Sequence, residues 1–199
     1  MLKKNPQQER SRVMVASILE AATRIFSTRP FRETTTNHIA AVAGVGIGSL
    51  YQYFASKEAI VRCLLDQHRV ESLALADEVL RKARGSVAER YRTMMGELLA
   101  VHERARLLHL NFLELQGSPP SDQLPKVRQH LKLVAQLLRD ECPPMDAVSA
   151  LLHAQVMMRS VHTLVHCAIQ LEHPQRDYIA LEHYDAFVPQ YCRFMELRA

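Results

Sequence analysis

Glycine is scarce in this chain: six residues in 199, and three of them, Gly44, Gly46 and Gly48, fall within five positions. Alternating runs of β-branched residues are missing, so no half-buried strand is encoded. Cysteine is confined to Cys63, Cys142, Cys167 and Cys192, without Cys-x-x-Cys spacing, which excludes a zinc ribbon and reads as reduced thiols in a cytoplasmic protein. The N-terminus lacks the apolar stretch of a secretory signal. No phosphate loop, nucleophile–base pair or complete metal set is present, so the reading is of a non-enzyme without a cofactor. The stretch 147–171 carries one charge, Arg159, but also His153, Gln155, Ser160, His162, Thr163, His166 and Gln170. That is too polar for lipid and fits a buried helix.

What the chain does contain is Ala, Leu, Arg, Glu, Gln and Met, the good helix formers. Its fold class is all-α. Apolar positions Val15, Ile18, Leu19, Ala22, Ile25 and Phe26 recur at helical spacing, and Pro30 ends that helix. Thr34, Thr35 and Thr36 offer N-cap hydroxyls for a short second helix with Ile39, Ala40 and Ala43. The Gly44-Val45-Gly46 turn breaks it, and a third helix starts at Gly48. Ser56 caps a fourth helix that runs to about Arg84 and stops at Gly85. Further helices are expected near 87–102, 104–116, 121–140, 144–171 and 177–197, about nine in all, with Pro189 kinking the last.

The charge is unevenly placed. Residues 1–60 hold eight basic and four acidic side chains, whereas the remainder holds 17 of each, so the net +4 of the chain lies in its first third. Such asymmetry points to a polyanionic partner for that third. Two short helices joined by a Gly-containing turn form the helix-turn-helix pattern. Ile39, Ala43, Val45, Leu50 and Phe54 would pack them together. Gly44 suits a left-handed C-terminal turn, and Gly46 and Gly48 would let a DNA backbone approach the third helix closely. Ser49, Gln52 and Tyr53 would then face the major groove and its walls.

The run from Ile18 to Ile60 resembles the N-terminal domain of the TetR family of repressors. The resemblance lies in Ile18-Leu19-Glu20-Ala21-Ala22, Phe26, Thr34-Thr35, Ile39-Ala40, Ala43-Gly44-Val45, Gly48-Ser49-Leu50-Tyr51-Gln52-Tyr53-Phe54 and Ser56-Lys57-Glu58-Ala59. It implies a helix-turn-helix domain over 1–60 and a helical ligand-binding and dimerisation domain over 61–199. It further implies a homodimer held by the helices near 144–171 and 177–197, binding a pseudo-palindromic double-stranded operator and released by a small-molecule effector. DNA contacts carried over by position are Thr35, Thr36, Gly46, Ile47, Gly48, Ser49, Tyr51, Gln52, Tyr53 and Lys57. In this reading Tyr51, Tyr53 and Lys57 hold phosphates, while Gln52 and Ile47 touch base edges. Three positions depart from the family pattern. Pro30 stands where glycine is usual, His38 where an acidic residue often sits, and Ile47 where a basic residue is frequent.

Other residues have sharper and plainer readings. Lys3, Lys4, Arg10 and Arg12 form either a minor-groove arm or a solubilising tail. His162 and His166 have the spacing of a metal chelate, but no third ligand shares their helical face, so a buried hydrogen-bonded pair without metal is expected. Met94, Met95, Leu98, His102, Leu108, Phe112, Met157, Met158 and His162 are candidates to line an effector pocket, or are plain core. His68, His109 and His130 read as surface or satisfied core residues. Two alternatives to an effector-released repressor are a ligand-independent DNA organiser on the same fold and an α-helical enzyme.

Overall fold

A computed structural model describes residues 9–113, 125–171, 175 and 180–186. Every described element is helical. In chain order these are α1 (Glu9–Phe26), a 3-10 turn (Phe31–Glu33), α2 (Thr36–Val42), α3 (Ile47–Tyr53), α4 (Lys57–Lys82), α5 (Val87–Arg104), α6 (Arg106–Leu113), α7 (Pro125–Glu141) and α8 (Ala147–Gln170). Residues 180–186 are also helical. The expected segment around Pro189 and most of the helix placed at 177–197 lie outside the described residues. No described helix is long and apolar enough to cross a membrane.

The chain divides into two compact units: Met1–Arg69 with Ala105–Ser118, and Val70–Arg104 with Pro119–Ala199. The first unit thus extends past residue 60 and takes in α6, a segment that division of the chain at 60/61 assigns to the second domain. The reason is apolar: Leu108 packs on the core that α1 builds, and α6 lies against α1.

The first unit's core follows the helical stripe of α1. Ile18, Ala21, Ala22 and Phe26 are fully buried and meet Ile39 of α2, Leu50 of α3, Phe54, and Ile60 and Val61 of α4. Each such large side chain contributes about 1.5–3 kcal/mol on burial. Pro30 has φ −59° and ψ 148° and leads into the 3-10 turn. Proline at this position therefore costs nothing, because the backbone there keeps a negative φ.

The second unit packs α5, α7 and α8 together around Tyr91, Met95, Leu99, Val134, Ala150 and Ala154. The starts of α5 and α8 are capped. Ser86 and Glu89 bond reciprocally, with the Ser86 N–H donating to Glu89 Oε2 at 2.8 Å and the Glu89 N–H to Ser86 Oγ at 3.3 Å, a capping box. The Asp146 carboxylate accepts from the N–H groups of Val148 and Ser149, at 2.8 and 3.0 Å. This cap sets the start of α8 at Ala147, three residues after Pro144.

Candidate functional site

The helix-turn-helix is assembled from short-range signals. Thr35 caps α2, its hydroxyl accepting from the His38 N–H at 3.2 Å, so the cap forms without an acidic side chain at His38. The end of α2 is a Schellman turn: the Val45 N–H donates to Ala40 O at 3.0 Å and the Gly44 N–H to Ala41 O at 3.2 Å. Gly44 takes the left-handed φ of +67° that this turn requires, a conformation costly for any residue with a Cβ. Gly46 then precedes α3 as its N-cap.

On α3 the inward stripe is Leu50, Tyr53 and Phe54, at 0%, 8% and 0% exposure. Tyr53 was expected on the outer face with Gln52; the structure buries it in the core of the unit. At 100° per residue, position 53 lies only about 60° from position 50, so its ring joins the stripe that Leu50 begins. The outward face is instead Ile47, Gly48, Tyr51 and Gln52, all exposed, with Ser49 partly covered. Tyr51 Oη and Thr36 Oγ1 lie 2.9 Å apart, tying the two helices together on the exposed side. Thr35 and Gly46 are exposed on the same two-helix segment.

Lys57 is engaged within the chain. Its ammonium donates to Phe31 O and Thr34 O, both at 2.6 Å, and sits 3.9 Å above the Phe31 ring. Two of the three donors of this ammonium thus staple the 3-10 turn to the start of α4. From Thr34 to Ser56 no side chain is charged. This face can bond phosphate through hydroxyls and backbone N–H groups, and read base edges through Gln52, rather than act by charge.

Two of these glycines have no explanation inside the chain. Gly46 has an ordinary φ of −67°. A Cβ there would meet only Ser49 Oγ at 3.9 Å, and one at Gly48 would meet nothing within 4 Å. Glycine in a helix costs up to about 1 kcal/mol relative to alanine, so the protein's own packing would favour a larger residue at Gly48.

Sequence reasoning missed Asn111. It is 3% exposed. Its Oδ1 accepts from the Phe31 N–H at 2.7 Å, and its Nδ2 donates to Phe26 O at 2.8 Å and Arg29 O at 2.9 Å. The carbonyls left open where α1 ends are therefore satisfied from α6. Also missed was the pairing of His109 with His68, rings 4.4 Å apart. Neither residue belongs to any motif that could have announced it.

The expected effector residues separate. Met94, Met95, Leu98 and Met157 are buried in the second unit's core and Met158 packs against it, whereas Leu108 packs on the core of the first. Phe112 lies on α6, but its side chain is outside the described residues. His102 is buried, with Nδ1 donating to Leu98 O at 2.7 Å. Its ring lies 5.9 Å from His166, which lies 3.9 Å from His162. His162 and His166 are half-buried, not fully buried. The same unit carries a buried charge network: Asp77 accepts from His130 Nδ1 at 2.8 Å and from Lys126 Nζ at 3.0 Å. Burial, followed by the nearby Asp66 charge, pushes the Cys63 thiol up, which keeps it protonated and poorly nucleophilic.

These features define a helix-turn-helix protein. Residues 18–64 match the profile of the bacterial regulatory proteins of the tetR family. That segment, about a quarter of the chain, is similar to the N-terminal domain of the family. Over 48 residues it is 50% identical to the HTH-type transcriptional repressor KstR2 of Mycobacterium tuberculosis, covering 24% of this chain and 24% of that repressor. The match thus spans about a quarter of the relative's length. The whole fold is similar to that of a tetR-family transcriptional regulator from Pectobacterium atrosepticum, with TM-score 0.73, 15% identity, and 94% and 95% of the two chains covered. It is also similar to FadR of Bacillus subtilis, solved with stearoyl-CoA, with TM-score 0.58, 15% identity, and 85% and 96% covered.

Proposed function

We propose that this chain is a DNA-binding transcriptional regulator, a homodimeric repressor released from a pseudo-palindromic operator by a small-molecule effector. The observation that carries the reading is the exposed face of α3. It presents Gln52 and Tyr51 beside two glycines that neither backbone strain nor internal packing requires. A close-approaching DNA backbone supplies the missing reason for them. Gln52 offers the paired donor and acceptor that suit adenine, and Tyr51, Thr36 and Ser49 offer hydroxyls to phosphate. With Tyr53 in the core, Tyr51 is the one of the two tyrosines left exposed for the phosphate role.

Dimerisation is supported by α8. Val148, Leu152 and Val156 stand 69%, 57% and 46% exposed at four-residue spacing, with Leu151 beside them. Such an apolar stripe asks for a partner surface. A two-fold dimer would set its recognition helices roughly 34–36 Å apart, or a multiple of that distance. On this reading the effector would bind within the second unit, whose core methionines Met94, Met95 and Met157, with Met158 packed against them, could adapt to an apolar ligand.

The test is selection of genomic fragments by the purified protein at physiological salt, followed by a mobility-shift assay. Enrichment of a pseudo-palindrome is expected; uniform, salt-sensitive retention of every fragment would instead favour a non-specific organiser. Gln52→Ala is expected to lose about 1–3 kcal/mol of discrimination at one position of each half-site, read from competition with single-base operator variants. An even loss across all sequences would remove the base-reading role. Gly48→Ala is expected to leave thermal stability unchanged or higher while weakening binding to all fragments alike. Undiminished affinity would show that no DNA backbone approaches there.

A further inference from the structure

We propose that His68 of α4 and His109 of α6 form a binding site for a divalent transition-metal cation of the zinc, nickel or copper type. His109 is 3% exposed. Its Nδ1 lies 3.0 Å from Ala105 O. A carbonyl oxygen can only accept, so Nδ1 bears the proton and the neutral ring carries its lone pair on Nε2. That Nε2 is directed at His68, 3.1 Å from its Nε2 and 3.4 Å from its Nδ1.

This separation matches the bite of two ligands on one ion. With metal–nitrogen bonds of about 2.0–2.1 Å and angles of about 90–110°, two coordinated nitrogens stand roughly 2.9–3.4 Å apart. The rings are inclined at 66°, so they are not stacked face to face and can converge on a common point. A metal-binding imidazole usually donates its other N–H to a carbonyl or carboxylate, which fixes the tautomer and orients the ring. His109 already makes that bond. Imidazole pairs favour borderline cations over calcium or magnesium, and the remaining coordination positions would be taken by water or by a donor atom of a second ligand.

The site's place in the first unit gives it a consequence. Two residues beyond His109, the same helix presents Asn111 to the end of α1. A cation bridging α4 and α6 would stiffen the support of the helix-turn-helix, so its occupancy should alter operator affinity. That consequence rests on the DNA-binding reading; the metal site does not.

Full-length protein without an affinity tag, stripped with chelator, would be titrated with ZnCl2 and, separately, NiCl2 by calorimetry at near-neutral pH. Thermal unfolding would be followed in parallel. One ion per chain is expected for the wild type, with a rise in melting temperature. Loss of an outer-shell partner alone weakens a metal site by roughly 10–100-fold, so His68→Gln and His109→Gln should each lower affinity at least that much. His162→Gln, at the other histidine pair, should bind as the wild type does. Should His109→Gln fold poorly, the half-buried His68→Gln still decides. No binding by the wild type, or binding that survives both substitutions, would overturn the proposal. A shift assay with and without zinc then separates the two readings: failure to bind any DNA would sink the regulator while leaving the metal site standing.

Discussion

Asn111→Ala is expected to destabilise the first unit by about 3–5 kcal/mol, because each buried group that loses its partner costs about 1–3 kcal/mol. Three groups lose theirs: the Phe31 N–H and the carbonyls of Phe26 and Arg29. The asparagine amide uses one acceptor and two donors here, a combination no other side chain of its length supplies. Asn111→Asp should therefore be no milder than alanine, since a carboxylate cannot donate and would face two carbonyl oxygens. Urea unfolding gives the magnitude, and hydrogen exchange at the Phe31 amide gives the location. A loss below about 1 kcal/mol would mean that water replaces the side chain at all three groups.

Asp77→Ala is expected to cost a similar amount, about 3–5 kcal/mol, in the second unit, the usual penalty for removing one partner of a buried ion pair. Asp77 and His130 are 1% and 2% exposed, and Lys126 joins them from solvent's edge. Burial by itself would raise the Asp77 pKa. The hydrogen bonds from His130 and Lys126, together with their charges, outweigh it and hold the carboxyl below its ordinary range. The sign follows. A carboxyl depressed in the folded state adds stability that is fully present above its unfolded pKa, about 3.9, and is lost as pH falls through the folded value. Wild-type stability should thus fall more steeply in acid than that of Asp77→Asn, and added salt should matter little to a pair so enclosed. Equal acid slopes for the two proteins would show that the network contributes no pH dependence.

The two interactions have a common origin in packing, and sequence inspection passed over both. Asn111 reads as one polar residue in a helical stretch, and His130 as an isolated histidine. Asn111 and Phe26 are 85 positions apart, His130 and Asp77 are 53, and His109 and His68 are 41. None of these separations falls into a period. By contrast, the cap at Thr35, the left-handed Gly44 and the buried pair Leu50 and Phe54 were all legible, because each is decided within a turn or two of helix. Tyr53 marks the margin between the two cases. Its residue type fits a phosphate-binding role, but its position, three after Leu50, turns it inward. Lys57 is similar: its charge suggested a phosphate, and the carbonyls of Phe31 and Thr34 take it first.

The sequence by itself determined the all-α class, the helix-turn-helix with its turn chemistry, and the resemblance to the tetR family, since helix periodicity, capping and glycine placement act over a few residues. Only the tertiary structure decided which face of α3 is exposed around Gln52. It also decided that α6 joins the first unit, and which polar side chains meet at Asn111, Asp77 and the His68–His109 pair. Those outcomes depend on how helices far apart in the chain pack against one another, and a buried polar group takes whichever partner that packing brings within hydrogen-bonding reach.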